Sequence, residues 1–479
     1  MNAAQLGLES QSIRDIAQNI RAQKFTCTEA VQFYLARINR LNSSIRALSL
    51  VNGDQALQRA SEYSREIAAG TSRGRLHGVC FTAKDSTDVE GLPTRHGSTH
   101  GEIQKSPRNS TIVQRLLDEG AICVGKGNMA EYGKSYYTDN PVFGRTSSPF
   151  DLTRTPGGSS GGDAAALASN FASFAVVSDS GGSVRVPANF SGLFGLYPSR
   201  GILSDGGMSS PPHAISCLFR RNGFLARHLS DLELLLSVTS GADAADPYSI
   251  SPPPWAVDMQ FAKKRFLYYS AMNGVESDPQ IAAELRSTVK KLEAQGYVGE
   301  ERCPSEFSSC FEIFIILAAQ ASLMLEDLLA QESGHPRNLS SEGPTIQNLR
   351  QRIATELPAL TPQSVLRCWA KVDQLRFSAQ KLWDKYDFVL APVTATLPPA
   401  HGTAKYKVGS QELWSQQVFQ FASCVNVLGF PAVAFPTGLS VEKLPLGLQI
   451  IGPQFSEYAM IRALRGLGYT SCLSPSQSS

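Results

Sequence analysis

Histidine is scarce in this chain, with seven among 479 residues, and none of His213, His228, His335 and His401 lies in a setting that marks it as a base. The search for acid–base chemistry therefore turns to other side chains. Charge is sparse too: charged residues make up 18%, the net charge is +2 and no Lys/Arg run is longer than Lys263-Lys264-Arg265. That excludes the electrostatic footprint of a nucleic-acid partner. The nine cysteines are odd in number and show no C-x-x-C or metal-type spacing. A disulfide framework and a metal site are excluded, and reduced core thiols of a cytoplasmic protein are expected, with Cys80 and Cys424 in apolar runs. No secretory signal precedes the amphipathic pattern that begins after Glu9. The most apolar run, Ile313–Ala319 within Phe311–Leu325, is too short to cross a bilayer and is flanked by Glu312 and Glu326, so a buried helix and no membrane span are expected. The Lys-Ser/Thr ending of a phosphate-binding loop is missing, and nothing calls for a cofactor.

What is present is apolar and punctuated. Hydrophobic residues make up 42% of the chain, enough for a substantial core. Ser12 opens a helix and Thr28 is expected to cap a second, whose apolar residues recur at helical spacing. Leu48–Val51 reads as a strand, and Val79–Ala83 is a short apolar strand ending on Lys84. A helix at Thr111–Glu119 and a buried strand at Ala121–Val124 follow. This strand–helix–strand rhythm predicts an α/β fold, a central mixed β-sheet flanked by helices on both faces. Residues 129–155 lose periodicity and read as a long ordered loop serving a site. Ala242–Pro254 reads as a linker, and two long helices are expected at Cys310–Gln331 and Pro362–Tyr386. Short strands return at Phe388–Ala391 and Ala432–Phe435. The expected organisation is one domain over 1–479: a catalytic core at about 60–240, a helical subdomain at about 255–385, and a return to the core sheet at about 386–479.

Chemistry concentrates between Thr155 and Ala188. Two glycine–serine clusters stand there, Gly157-Gly158-Ser159-Ser160-Gly161-Gly162 and Ser180-Gly181-Gly182-Ser183, separated by a small-residue helix and a strand. Glycines let backbone N–H groups approach a reacting atom closely. The first cluster satisfies the G-x-S-x-G nucleophile elbow, which would make Ser160 the nucleophile, but Ser148–Pro156 is a poor strand to lead into it. The second follows the buried strand Phe174-Ala175-Val176-Val177, so Ser183 sits at a strand end where the N–H groups of Ser180, Gly181, Gly182 and Ser183 can form an oxyanion hole. A serine needs a base near neutral pH. Lys84 is the candidate, because desolvation at the end of an apolar strand depresses a lysine toward a useful base. Asp85 and Asp88 push the opposite way, and that balance stays open.

These residues together resemble the amidase signature enzymes. That family carries a lysine after a strand, a Gly-Gly-Ser-Ser-Gly-Gly loop and an Asp-x-Gly-Gly-Ser-[IV]-Arg loop; all three stand here in order, with 24 residues from Ser159 to Ser183. Gly91-Leu92-Pro93-Thr94, Asn128-Met129, Asn140-Pro141, Asn426–Ala432 and Pro445–Gly452 extend the resemblance over most of the chain, least over 250–380. It implies a Ser–cis-Ser–Lys triad: Ser183 as nucleophile, Ser159 as the bridging serine on a cis peptide, Lys84 as base. Ser160, Ser178, Asp179 and Arg185 are expected to brace the two loops, with a structural ion pair as the alternative for Arg185. Met129 and Tyr132 are weaker candidates for substrate contact. Where the family has Asn-Met-Asp-Glu-Phe, this chain has Asn128-Met129-Ala130-Glu131-Tyr132, and Ser178 and Tyr197-Pro198-Ser199 also depart from its pattern. Glutamine-dependent tRNA amidotransferase subunits hold glutamine with an acid before the Asn-x-x-Gly segment, and Trp414–Ala422 contains none. The implied activity is hydrolysis of a carboxamide or N-acyl amine through a seryl acyl-enzyme. The alternatives are an amide-forming transacylase and one component of a partner-dependent amidotransferase. The expected partners are a small-molecule amide or acyl substrate and a second copy in a homodimer. Tyr136-Tyr137 and the helices at 310–330 hint at an apolar or aromatic acyl group, or at ordinary core.

Overall fold

Short apolar runs bounded by turns become the strands of one large sheet. The computed structural model describes residues 6–99, 104–208, 218–332, 334 and 339–475; His213 and His335 lie outside them. Eleven strands form the sheet in the spatial order Leu48–Val51, Ile122–Gly127, Cys80–Lys84, Phe174–Asp179, Arg221–Ala226, Phe194–Tyr197, Ala432–Leu439, Pro445–Ile451, Phe388–Pro392, Arg265–Tyr268 and Val298–Glu301. The pairing is mixed. Cys80–Lys84 runs parallel to both its neighbours, whereas Phe174–Asp179 is antiparallel to Arg221–Ala226. Along Phe174–Asp179 the period of two divides the side chains between two cores: Phe174 and Val176 enter one, Ala175 and Val177 the other. Burial on both faces is why this strand reads as a continuous apolar run. The fold is α/β, a mixed sheet between helical layers.

Several expectations need adjusting. The second helix is Cys27–Ile45, capped by Thr26 and not Thr28. Glu29 stands three residues after Thr26, the spacing of a capping box: Thr26 Oγ1 accepts from the Glu29 N–H at 3.1 Å, and Glu29 Oε2 accepts from the Thr26 N–H at 2.7 Å. The region at about 255–385 is helical in the main but lends two strands, Arg265–Tyr268 and Val298–Glu301, to the central sheet. The apolar helix is longer than its most apolar run. Ser305–Glu332 is continuous over 28 residues, including a π-helical turn at Ile315–Ala321, and by length and composition it is apolar enough to cross a membrane. In the fold it packs on Gln420–Leu428 and Pro362–Gln380. It also carries Glu326 and Asp327, each in an ion pair.

The sheet order places the chemistry. Cys80–Lys84 and Phe174–Asp179 are adjacent and parallel, so their C-terminal ends open at the same edge. In open α/β sheets that edge is where ligands bind.

Candidate active site

Lys84 is the last residue of its strand and 2% exposed. Its Nζ lies 2.7 Å from Ser159 Oγ, and it donates to the Ser178 carbonyl at 3.3 Å, with Ser178 Oγ at 3.5 Å. Burial drives the amine down to about 7, opposed by the negative charges of Asp163 and Asp179 and reinforced by Arg220. Desolvation therefore dominates, and the carboxylates that oppose it are Asp163 and Asp179 in place of the expected Asp85 and Asp88. A lysine at about 7 is neutral for much of the time near neutral pH and can accept a proton.

Ser159 follows a cis Gly158–Ser159 peptide. Its carbonyl accepts from the Ala130 N–H at 3.1 Å, which ties the loop to the segment after Ile122–Gly127. Gly161–Ala168 begins two residues later as a helix. Gly162 admits no side chain, because a Cβ would lie 2.3 Å from the backbone of Asn128 and 2.4 Å from the Ala47 carbonyl. Asn140 reinforces this floor by donating to Asn128 Oδ1 at 2.7 Å and to the Met129 carbonyl at 2.8 Å. Ser160 is different from its neighbour. Its hydroxyl is fully buried and has no hydrogen-bond partner. With no strand leading into it either, the elbow reading has no exposed nucleophile.

The second cluster is shaped by Asp179. Its carboxylate accepts from the N–H groups of Gly182 at 2.7 Å, Val184 at 3.1 Å and Arg185 at 3.4 Å. Burial would raise this carboxyl, but the Arg185 guanidinium, Asn426 and the Gly182 N–H hold it below its usual value. Gly182 adopts φ +120°, a conformation open to glycine. Because its N–H is committed to Asp179, the oxyanion donors that remain are the N–H groups of Ser180, Gly181 and Ser183, which carry no hydrogen bond among the described residues. Arg185 is wholly buried in an ion pair with Asp179 at 3.1 Å. It also donates to the Ala422 carbonyl at 2.9 Å, Gln449 Oε1 at 3.0 Å and Asn426 Oδ1 at 2.5 Å. The Asn426 and Gln449 segments thus brace the loop from the far end of the chain. No local sequence pattern announces their part in the site, since none links positions so far apart.

Lys84, Ser159, Ser178, Ser180, Gly181 and Ser183 line one cavity of about 470 Å³. Met129 and Tyr132 line it as well, beside Tyr136, Phe219, Phe314 and Leu329. Tyr136 donates its hydroxyl to the Gly181 carbonyl at 3.0 Å and stacks on Phe419 with ring centroids 4.1 Å apart. Three charged groups in the wall, Lys134, Glu326 and Arg220, have no sequence motif to mark them, and Arg220 is paired with Asp205. Lys134 and Glu326 pair at 2.7 Å across the cavity, and Lys134 also donates to Ser322 Oγ at 2.8 Å. His96 lines the cavity too, but burial pushes its imidazole down to about 4. His228 lies elsewhere, beside Ser471, and His401 contacts Ser147 at 3.1 Å in a second cavity.

A buried lysine whose amine is depressed to about 7 against one serine, with a second serine open to the same cavity beside unengaged N–H groups, has the parts of a serine acyl-transfer site. The comparisons with known proteins agree. The family model Amidase matches residues 29–461, and the chain belongs to that family. It is 31% identical over 487 aligned residues to a glutamyl-tRNA(Gln) amidotransferase subunit of Alkaliphilus metalliredigens, covering 96% of each chain. It is 29% identical to the indoleacetamide hydrolase of Bradyrhizobium diazoefficiens, over 92% of this chain and 83% of that one. The structure of 6-aminohexanoate cyclic dimer hydrolase superposes with a TM-score of 0.82 over 98% of this chain and 99% of that one, at 22% identity. Membership makes this protein an enzyme of amide bonds, and the Ser–Ser–Lys triad is characteristic of the family.

Proposed function

We propose that the protein hydrolyses an amide through an acyl-enzyme on Ser183, with Ser159 and Lys84 as its proton relay. The observation that carries this is the 2.7 Å contact between buried Lys84 Nζ and Ser159 Oγ, at the wall of the cavity that Ser183 also lines. Neutral Lys84 accepts the Ser159 proton as Ser159 takes that of Ser183, and Ser183 Oγ bonds to the carbonyl carbon. The N–H groups of Ser180, Gly181 and Ser183 hold the oxyanion; each such donor contributes on the order of 3 kcal/mol to the transition state. Collapse breaks the C–N bond while the relay returns the proton to the departing nitrogen. Water then attacks the acyl-enzyme by the same path in reverse.

The walls favour a neutral substrate with an apolar or aromatic acyl group. Met129, Tyr132, Phe219, Phe314 and Leu329 offer apolar surface, and the Lys134 and Glu326 charges are engaged with each other. Among the described residues every cysteine is a free thiol, which supports the cytoplasm as the compartment.

One observation favours a second reading: the 31% identical relative is named for its place in an amidotransferase. The purified chain alone, treated with a fluorophosphonate probe and then with an aryl amide, tests both. Labelling at Ser183 and release of free acid are expected, with Lys84→Ala and Ser183→Ala each inactive though folded and Ser159→Ala retaining a small residue. Formation of a new amide from an added amine, read by mass spectrometry, makes it a transacylase. If the chain neither labels nor turns over until a partner is added, the stand-alone reading fails.

A further inference from the structure

The triad leaves one buried carboxyl beside it without a task. Asp163 lies in the first turn of Gly161–Ala168, four residues after the cis serine, and is fully buried. Its Oδ1 accepts from the Thr82 hydroxyl at 2.7 Å, while its Oδ2 has no hydrogen-bond partner. An unpartnered buried oxygen costs about 1–3 kcal/mol, so its retention asks for a reason.

Three placements put this carboxyl on the Lys84 side of the sheet. Thr82 and Lys84 are two apart on one strand, so their side chains leave the same face. Gly127 is the register partner of Lys84 on the neighbouring strand. A Cβ at Gly127 would come within 2.2 Å of the Asp163 carboxyl, which therefore fills the space a side chain there would occupy.

We propose that Asp163 is a positioning residue for amide cleavage: held by Thr82 over Gly127, its carboxyl sets the electrostatic setting in which Lys84 receives the relay proton. This rests on Lys84 being the base. Burial pushes the Asp163 carboxyl up to about 7, opposed by the Thr82 hydrogen bond and by Lys84 and Lys126 and assisted by Asp85. Its negative charge in turn raises Lys84. The other charged groups around the pair have partners of their own. Lys126 donates to the Thr87 carbonyl at 2.6 Å and to Thr94 Oγ1 at 3.1 Å, and Asp85 accepts from the Gly97 N–H at 3.0 Å. Asp179 is paired with Arg185, Arg220 with Asp205, and Arg221 lies over the Tyr197 ring. Of these carboxyls, Asp163 alone combines an unpartnered oxygen with a direct influence on Lys84.

The test is the pH profile of kcat/KM for an aryl amide in the full chain. Asp163→Asn keeps the shape and removes the charge, so the acid limb is expected to move down by about half a pH unit to one pH unit. Thr82→Val removes the hydrogen bond that favours the Asp163 anion and is expected to move the limb the same way; it decides the matter if Asp163→Asn fails to fold. A merely structural role would alter stability and leave the limb in place. An unmoved limb in the variants that fold overturns the proposal. If Lys84→Ala retains activity with the wild-type limb, it is the base assignment that fails; if Lys84→Ala is inactive and the limb is unmoved in the others, only the role of Asp163 fails.

Discussion

Replacing Lys84 by methionine should destroy turnover and yet stabilise the fold. The two side chains are similar in length, but only one carries an amine whose protonation burial opposes. In the folded protein that amine sits at about 7 against an ordinary value of 10.5, and each pH unit between the two is worth about 1.4 kcal/mol. A depressed lysine means that the unfolded chain binds more protons than the native one between those two values. The penalty is therefore full at and below pH 7, about 5 kcal/mol, and fades as pH rises toward 10.5. Methionine removes it. Against that gain stand the lost contacts to Ser159 Oγ and the Ser178 carbonyl at 2.7 and 3.3 Å, at about 1–2 kcal/mol each for buried groups left unpaired. A net stabilisation of about 2 kcal/mol remains for Lys84→Met at pH 6.5. Urea titration of both proteins at pH 6.5, 8 and 9.5 measures it: the advantage of Lys84→Met should be greatest at pH 6.5, nearly vanish at pH 8 and reverse at pH 9.5, where the lost contacts outweigh the remaining penalty. An advantage that is absent at pH 6.5, or that grows with pH, would refute the idea that desolvation is what prepares this base.

The same wild-type group should give kcat/KM an acid limb centred near pH 7, measured with any turned-over amide, because only neutral Lys84 accepts the proton. Asp179→Asn leaves Arg185 without its buried counter-charge; a loss of about 3–5 kcal/mol in denaturant stability is expected, with kcat falling at least tenfold as the Gly182 turn loosens. Gly181→Ala places a Cβ 2.4 Å from the Phe314 ring tip. That ring can shift within the cavity, so thermal stability should change little while KM rises more for bulky amides than for small ones. Gly162→Ala meets backbone at 2.3 Å and has no such escape; insoluble or unfolded protein is expected on expression.

What was legible in the sequence was local. Lys84 closes a run of apolar residues, and Ser183 follows a strand through two glycines, so each carries its structural context within a few positions. The strand edges of the core were readable for the same reason, since burial on both faces leaves short continuous apolar runs. The differences came from competition between neighbours and from distance. Thr26 and Thr28 are both plausible caps, and only the reach of the Glu29 side chain back to the Thr26 N–H selects between them. The apolar run looked too short to cross a bilayer because the flanking Glu326 reads as its boundary, whereas in three dimensions that charge is met by Lys134. Asn426 and Gln449 reach Arg185 across 241 and 264 positions, which no periodicity encodes. The commitment of the Gly182 N–H to Asp179 was equally hidden, because a carboxylate three residues away can turn toward a loop or away from it.

That commitment bears on why a lysine serves as base here. A second obvious candidate is Asp179, fully buried one residue after Ser178 and four before Ser183. An aspartate could in principle orient or deprotonate a serine, but its oxygens already accept from three backbone N–H groups, the Arg185 guanidinium and Asn426. These donors stabilise the anion and hold the carboxyl below its usual value, so it is both occupied and too weak a base. Its charge is used to shape the loop, and in shaping it the carboxylate takes up the Gly182 N–H while those of Ser180, Gly181 and Ser183 stay unengaged. Lys84 is in the reverse position. Burial without a direct counter-ion depresses the amine, and at about 7 it is matched to proton transfer near neutral pH. The two buried charges are thus tuned in opposite directions by their partners, one toward permanent ionisation and the other toward neutrality. Removing the Arg185 partner should move them together. In Arg185→Met the buried Asp179 carboxyl loses its counter-charge and burial drives it toward the neutral form; once protonated it no longer raises Lys84, so stability should drop and the acid limb of kcat/KM shift downward along with it.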